Sequence, residues 1–119
     1  MRFESLADWL SWQETLHPQT IELGLERIKQ VFLQLHPEPP PFTVITVAGT
    51  NGKGSTVALL ESILQAAGFT TGNYTSPHLL RYNERIRLNA QEVSDRQICQ
   101  AFERVDEARG DVSLTYFEF

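Results

Sequence analysis

Gly49-Thr50-Asn51-Gly52-Lys53-Gly54-Ser55-Thr56 interleaves glycines, hydroxyls, an amide and one cation. Glycines let the backbone turn so that successive N–H groups point into one hollow, and a helix starting there adds its positive dipole end. Lys53 contributes a full positive charge, and Ser55 and Thr56 offer hydroxyls to a phosphate or to its magnesium ion. The chemistry that needs this set is phosphate binding. The generic pattern G-x-x-x-x-G-K-[ST] is not met, because Val47 stands in place of its first glycine and Gly54 follows the lysine. A purely structural turn with a solvated Lys53 is the alternative. The order of apolar run, glycines, lysine, hydroxyls and helical pattern favours binding.

Positioning such a loop takes a strand before it and a helix after it. Phe42 to Ala48 reads as a buried strand, Thr56 to Ala67 as the helix, and Gly68 as its C-terminal cap. Thr70 to Tyr74 is expected to return as a second strand, parallel to the first through a right-handed crossover. Thr75 to Asn83 reads as a loop and Arg85 to Asn89 as an exposed strand. Ser94 with Gln97 makes a capping box for a helix that buries Ile98, Phe102 and Val105 and ends at Gly110.

Upstream, Ser5 to His17 carries Leu6, Trp9, Leu10 and Leu16 at helical spacing and is closed by Pro18. Glu22 to Leu35 repeats the pattern with Leu25, Ile28, Phe32 and Leu35. The prolines that follow exclude helix and read as a stiff connector. The expected organisation is a helical hairpin over 1–36, a proline-rich connector over 37–41 and an α/β part over 42–119. The fold class is α/β: the N-terminal part of a P-loop nucleotide-binding domain, with a parallel sheet flanked by helices.

Beyond the loop, Ser76 before Pro77 reads by itself as a turn residue. His78 fits a ligand or proton carrier, and equally a structural hydrogen bond. Arg81, Arg85 and Arg87 are able to steer anions, with Arg85 and Arg87 also fitting the solvated face of a strand. Cys99, beside Ile98 and Phe102, reads as a packing residue, and one cysteine builds no disulfide framework.

A net charge of −5 gives no electrostatic footprint for nucleic acid. No apolar run approaches the ~18 residues of a membrane span, and the N-terminus lacks a signal peptide's basic and apolar regions. A cytoplasmic protein without nucleic-acid or membrane partners is expected.

Ala48 to Thr56, Thr75-Ser76-Pro77-His78-Leu79, Arg81-Tyr82-Asn83-Glu84-Arg85, Thr20 to Arg27 and Leu114 to Glu118 stand in an order that resembles the folylpolyglutamate synthase/dihydrofolate synthase family, most of all its bifunctional bacterial branch. The Mur ligases of the same superfamily share the glycine-lysine loop but not the flanking strings. The resemblance implies an ATP-dependent ligase that joins L-glutamate to 7,8-dihydropteroate and extends folates by γ-linked glutamates, through an acyl phosphate. It implies ATP and Mg²⁺ as cofactors, with Thr50, Asn51, Gly52, Lys53, Gly54 and Ser55 at the phosphates. Lys53 is then the residue on which transfer most depends, and Ser76 a magnesium ligand.

The resemblance also implies a dihydropteroate site edged by Ile21, Glu22 and Leu23 and by Thr115, Tyr116, Phe117 and Glu118. Taken without it, Ile21 and Leu23 are helix-entry packing residues and Thr115-x-x-Glu118 is a capping box. Members of the family are several times longer than 119 residues. The chain therefore reads as a fragment without the C-terminal ligase domain, inactive alone and prone to self-association, of a parent expected to be monomeric. A Mur-type ligase and a non-catalytic nucleotide-binding module are the competing readings.

Overall fold

Helix α1 (Leu6–Leu16) starts where Ser5 Oγ accepts the Asp8 backbone N–H at 3.1 Å, leaving one first-turn donor satisfied. Its buried positions, Leu6, Trp9 and Gln13, recur at helical spacing. Helix α2 (Glu26–Leu35) begins just after Gly24, which takes a positive φ of 122° that a side chain disfavours. A fourth helix of the chain (Asp95–Arg109) opens one residue after Ser94, buries Ile98, Cys99 and Phe102, and stops at Gly110 with φ 55°. It packs against both α1 and α2. Trp9, wholly buried, is the centre of the contact. Its ring meets those of Phe3, Trp12, Phe102 and Phe119 at 5.3–6.5 Å, and its indole N–H donates to the Phe3 carbonyl at 3.0 Å. Edge-to-face geometry and a satisfied indole donor are what a buried tryptophan requires.

The computed structural model describes residues 1–19 and 23–119. They form two units, Met1–Phe42 with Asp95–Phe119, and Thr43–Ser94. The second is built on helix α3 (Lys53–Ala66) and three short strands, β1 (Gly72–Tyr74), β2 (Ile86–Leu88) and β3 (Gln91–Glu92). Gly68 donates to Gln65 O and Phe69 to Leu64 O, both at 3.0 Å, closing α3 with the paired bonds of a glycine-capped helix end. In chain order the Asp95–Arg109 helix is α4.

Several elements depart from the sequence expectations. Phe42 to Ala48 forms no strand and pairs with none among the described residues. Phe42, Val44 and Ile45 are 69%, 67% and 58% exposed, because a parallel strand is buried only by neighbours on both sides. The sheet that forms is antiparallel: β1 pairs with β2 (Gly72 opposite Leu88, Tyr74 opposite Ile86), and β2 with β3, so the expected parallel pairing of Thr70 to Tyr74 with Phe42 to Ala48 is not among its ladders. A hairpin turn too short for a crossover joins β2 to β3, and antiparallel pairing follows from it. Helix α3 begins three residues early, so Lys53, Gly54 and Ser55 form its first turn. Arg85 is not on a solvated strand face; it is 8% exposed in a 3-10 turn at Tyr82–Arg85. The expected start of α2 at Glu22 lies outside the described residues, and the helix begins at Glu26.

Candidate functional site

The glycine-lysine loop ends in a helix start of unusual openness. Gly52 occupies the N-cap with φ 75° and ψ 9°, and with no side chain it cannot cap the first-turn N–H groups itself. A Cβ placed at Gly52 or Gly54 would meet nothing within 4 Å, so the approach to those N–H groups is clear. The first turn of α3 has no acidic residue to compete for its dipole. Thr56 folds back instead, its N–H and hydroxyl both bonding to the Gly52 carbonyl at 3.0 and 2.9 Å. Lys53 Nζ donates to the Gly49 carbonyl, which bends the side chain over the loop. Thr50, Asn51, Gly52, Lys53, Gly54 and Ser55 are all exposed. The arrangement has the parts an anion site requires: backbone donors at an open helix start, a dipole and a cation without a resident carboxylate.

Ser76 belongs to the same unit, in the loop between β1 and the 3-10 turn, and its peptide bond to Pro77 is cis. Two residues fix that loop. Glu84 accepts the backbone N–H groups of Leu79, Leu80 and Arg81 at 3.0, 2.8 and 2.6 Å. Those bonds from Leu79, Arg81 and Leu80 hold its carboxyl below the usual carboxylate range, because they favour the charged form. Arg85 Nε donates to His78 Nδ1 at 2.8 Å and Nη1 to the Tyr74 hydroxyl at 3.2 Å, with the guanidinium 5.3 Å from the Tyr82 ring centre. On the helix behind, Glu61 is buried and takes Asn73 Nδ2 at 2.6 Å and Arg87 Nε at 3.1 Å.

The other sequence-predicted string lies in the first unit. Thr115 and Glu118 make a reciprocal capping box: Thr115 N–H donates to Glu118 Oε1 at 2.9 Å, and Glu118 N–H to Thr115 Oγ1 at 3.3 Å. Arg27 Nη2 adds bonds to both Glu118 oxygens at 2.8 Å. Burial works to raise the Glu118 carboxyl, but the Arg27 and Thr115 hydrogen bonds prevail and hold it below its ordinary value. Thr115, Tyr116 and Phe117 line a cleft of about 410 Å³ with Gln13, Glu14, His17 and Gln19. That is within the size range of small-molecule sites. His17 Nδ1 lies 2.7 Å from the Ser113 hydroxyl at its edge. Gln13 is 1% exposed and neither atom of its amide finds a partner among the described residues.

Of the upstream string, Ile21 and Glu22 lie outside the described residues, and Leu23 is 91% exposed. Among the described residues no three His, Cys, Asp or Glu side chains cluster as a metal site. Ser76 alone cannot hold magnesium, which ordinarily takes one or two protein ligands together with phosphate oxygens and water. The donor set fits a phosphate-bound ion better than an independent metal centre. Cys99 is 2% exposed and burial pushes its thiol up, as a packing residue requires. No helix among the described residues is long and apolar enough to cross a membrane.

Sequence reasoning missed Glu61, Gln13 and the anchoring roles of Glu84 and Arg85. Nothing in the local pattern marks a polar residue for burial; Glu84 alone leaves a trace, three residues after Arg81 in capping-box register.

Comparison with known proteins identifies close relatives. No protein-family model matches the chain. It is 55% identical over 115 residues to the dihydrofolate synthase/folylpolyglutamate synthase of Escherichia coli, covering 96% of this chain and 27% of that protein. It superposes with a TM-score of 0.90 on Escherichia coli FolC in complex with DHPP and ADP, at 54% identity over 97% of this chain and 28% of the other. The bifunctional folylpolyglutamate synthase/dihydrofolate synthase of Yersinia pestis, complexed with AMPPNP and Mn ion, gives a TM-score of 0.89 at 54% identity and the same coverage. The chain thus spans about a quarter of the length of the relatives it matches. Its α/β fold is that of these nucleotide-bound structures.

Proposed function

We propose, from the relationship of this chain to the dihydrofolate synthase/folylpolyglutamate synthases, that it supplies the ATP-phosphate-binding part of an ATP-dependent carboxylate–amine ligase of folate biosynthesis. The observation that carries the reading is the uncapped, unobstructed start of α3 at Gly52–Ser55, with Lys53 folded over it. A carboxylate is inert towards amines because its oxygen is a poor leaving group. Phosphoryl transfer from ATP to the pteroate carboxylate releases ADP and makes an acyl phosphate. The glutamate amine then attacks its carbonyl, expels phosphate and leaves the amide. Lys53 and the first-turn N–H groups of α3 hold the transferring phosphoryl oxygens and offset their charge, which is the main requirement of such a transfer. Mg²⁺, when bound with ATP, neutralises further phosphate charge, and Ser76 is its proposed ligand in this chain.

Ile21, Glu22, Leu23 and Thr115, Tyr116, Phe117, Glu118 are proposed to edge the dihydropteroate site. The cleft floored by Thr115 and walled by Tyr116 and Phe117 supports this, having aromatic sides and fixed polar groups. Glu118 then has two roles at once, since its carboxylate is already engaged by Arg27 and Thr115. Small-molecule substrates, cytoplasmic location and absence of nucleic-acid and membrane partners complete the proposal. A Mur-type ligase lacks the flanking strings, and a non-catalytic nucleotide-binding module lacks a reason for the cleft.

Alone the chain is proposed to be inactive as a ligase. It is also proposed to self-associate through Val44, Ile45, Leu59, Ile63 and Phe69, all more than half exposed, whereas a complete parent would be monomeric. Sedimentation as a clean monomer would count against the association. The function is tested by a chimera in which residues 1–119 replace the matching quarter of the Escherichia coli relative. ADP release that needs both dihydropteroate and L-glutamate is expected. Release indifferent to either substrate would sink the ligase reading.

A further inference from the structure

We infer that Arg85 is a positioning residue that locks His78 as the Nε2–H tautomer and so presents a fixed hydrogen-bond donor two residues along the chain from Ser76. Arg85 is 8% exposed, and its Nε bears one hydrogen and no lone pair. At 2.8 Å from His78 Nδ1 it must donate, so Nδ1 accepts and the ring hydrogen resides on Nε2. The guanidinium is itself held from two further sides, by the Tyr74 hydroxyl at 3.2 Å and by the Tyr82 ring. That same ring meets the His78 imidazole edge-on at 5.9 Å, which fixes its tilt. The segment joining them is fastened by Glu84 through three backbone N–H groups. The imidazole is therefore set in tautomer, tilt and place before any ligand arrives.

His78 Nε2 has no hydrogen-bond partner among the described residues. It sits two residues beyond Ser76 in a half-buried position. A preset N–H donor suits an anionic oxygen, and the class of ligand assigned to it is a phosphoryl oxygen of the bound nucleotide or acyl phosphate. This last step rests on the phosphate-loop reading; the Arg85 lock does not. Nδ1 is closed to any role as a base or metal ligand, because Arg85 occupies it.

The test is NMR on the 119-residue chain with ¹⁵N-labelled histidine and arginine. Long-range ¹H–¹⁵N spectra under conditions where the ring is neutral should give one tautomer for His78, with the hydrogen on Nε2. A scalar coupling across the hydrogen bond should join Arg85 Nε to His78 Nδ1. Hydrogen on Nδ1 would overturn the lock, as would an Arg85→Met variant that stays folded with the His78 tautomer unchanged. Should that variant not fold, the wild-type coupling decides alone. Added MgATP should move the His78 Nε2–H signal together with the amides of Gly52 to Ser55. Loop amides that move while His78 stays still would overturn donation to phosphate. No movement at either place sinks the donation along with the phosphate-loop reading, and the tautomer still judges the lock.

Discussion

Arg27 Nη2 grips both carboxylate oxygens of Glu118 at 2.8 Å, joining α2 to a turn 91 residues downstream. The pair closes the first unit, because Glu118 also caps its own turn through the Thr115 N–H. A carboxylate that accepts from a cation and a backbone donor is worth more charged than neutral. Glu118→Gln should therefore destabilise the chain by roughly 1–2 kcal/mol at neutral pH, its buried side offset by partial exposure of Arg27.

The sign of the pH dependence follows from the same contacts. The Glu118 carboxyl lies below its ordinary value in the folded chain. Its contribution is complete above the unfolded value and disappears as pH falls through the lower, folded one. Denaturant midpoints measured from pH 7 down to pH 2 should fall less steeply in Glu118→Gln than in the wild type. Parallel curves would remove the pair from the acid limb.

The Arg27–Glu118 pair also marks the limit of what the sequence discloses. Helical spacing placed Leu6, Trp9, Ile98 and Phe102 correctly inside, since apolar periodicity reports burial directly. The Thr115-x-x-Glu118 pattern announced its capping box, a contact of four neighbouring residues. Arg27 as its third partner was invisible, because nothing local links positions 91 apart. The Phe42–Ala48 run misled for a related reason. Its pattern specifies a buried strand, but burial depends on neighbours that the described residues do not supply. The open helix start at Gly52–Ser55 was legible in its glycines and its place before a helical pattern, being built by residues adjacent in the chain.

Glu61 and Arg87 couple α3 to the middle strand of the sheet at 3.1 Å. Glu61 is 8% exposed and also receives Asn73, so its removal strands two donors, whereas Arg87 keeps the Ala90 carbonyl. A double-mutant cycle of Glu61→Ala and Arg87→Ala should give a coupling of about 0.5–1.5 kcal/mol, with Glu61→Ala the costlier single change. Strict additivity of the two losses would show that solvent replaces the pair.

Asn89 and Ala90 make the two-residue turn between β2 and β3 with φ 50° and 66°. Both positive values belong to the hairpin turn that matches strand twist, for which Asn-Gly is the favoured pair. Asn89 fits and is anchored, accepting from the Thr71 N–H at 3.0 Å and Gln65 at 3.2 Å. Ala90 pays for its Cβ in the left-handed region. Ala90→Gly should raise stability by about 0.5–1 kcal/mol, the relief of strain exceeding the added freedom of the unfolded chain. A lower thermal midpoint in the variant would contradict the strain assignment.

Among the described residues Lys53 bonds only to the Gly49 carbonyl, and it is exposed, so stability owes it little. Lys53→Ala should leave the thermal midpoint within the change expected of about 0.5 kcal/mol. Function should respond otherwise. If Lys53 offsets charge on the transferring phosphoryl group, the chimera carrying Lys53→Ala should lose ADP release on the order of 100-fold or more. Lys53→Arg keeps the charge but spreads it over a planar group that does not fill the same place, so partial recovery is expected. Release unchanged in Lys53→Ala, with MgATP affinity also unchanged, would mean that the loop amides alone serve the phosphates. The lysine would then be a solvated residue of a glycine-rich turn.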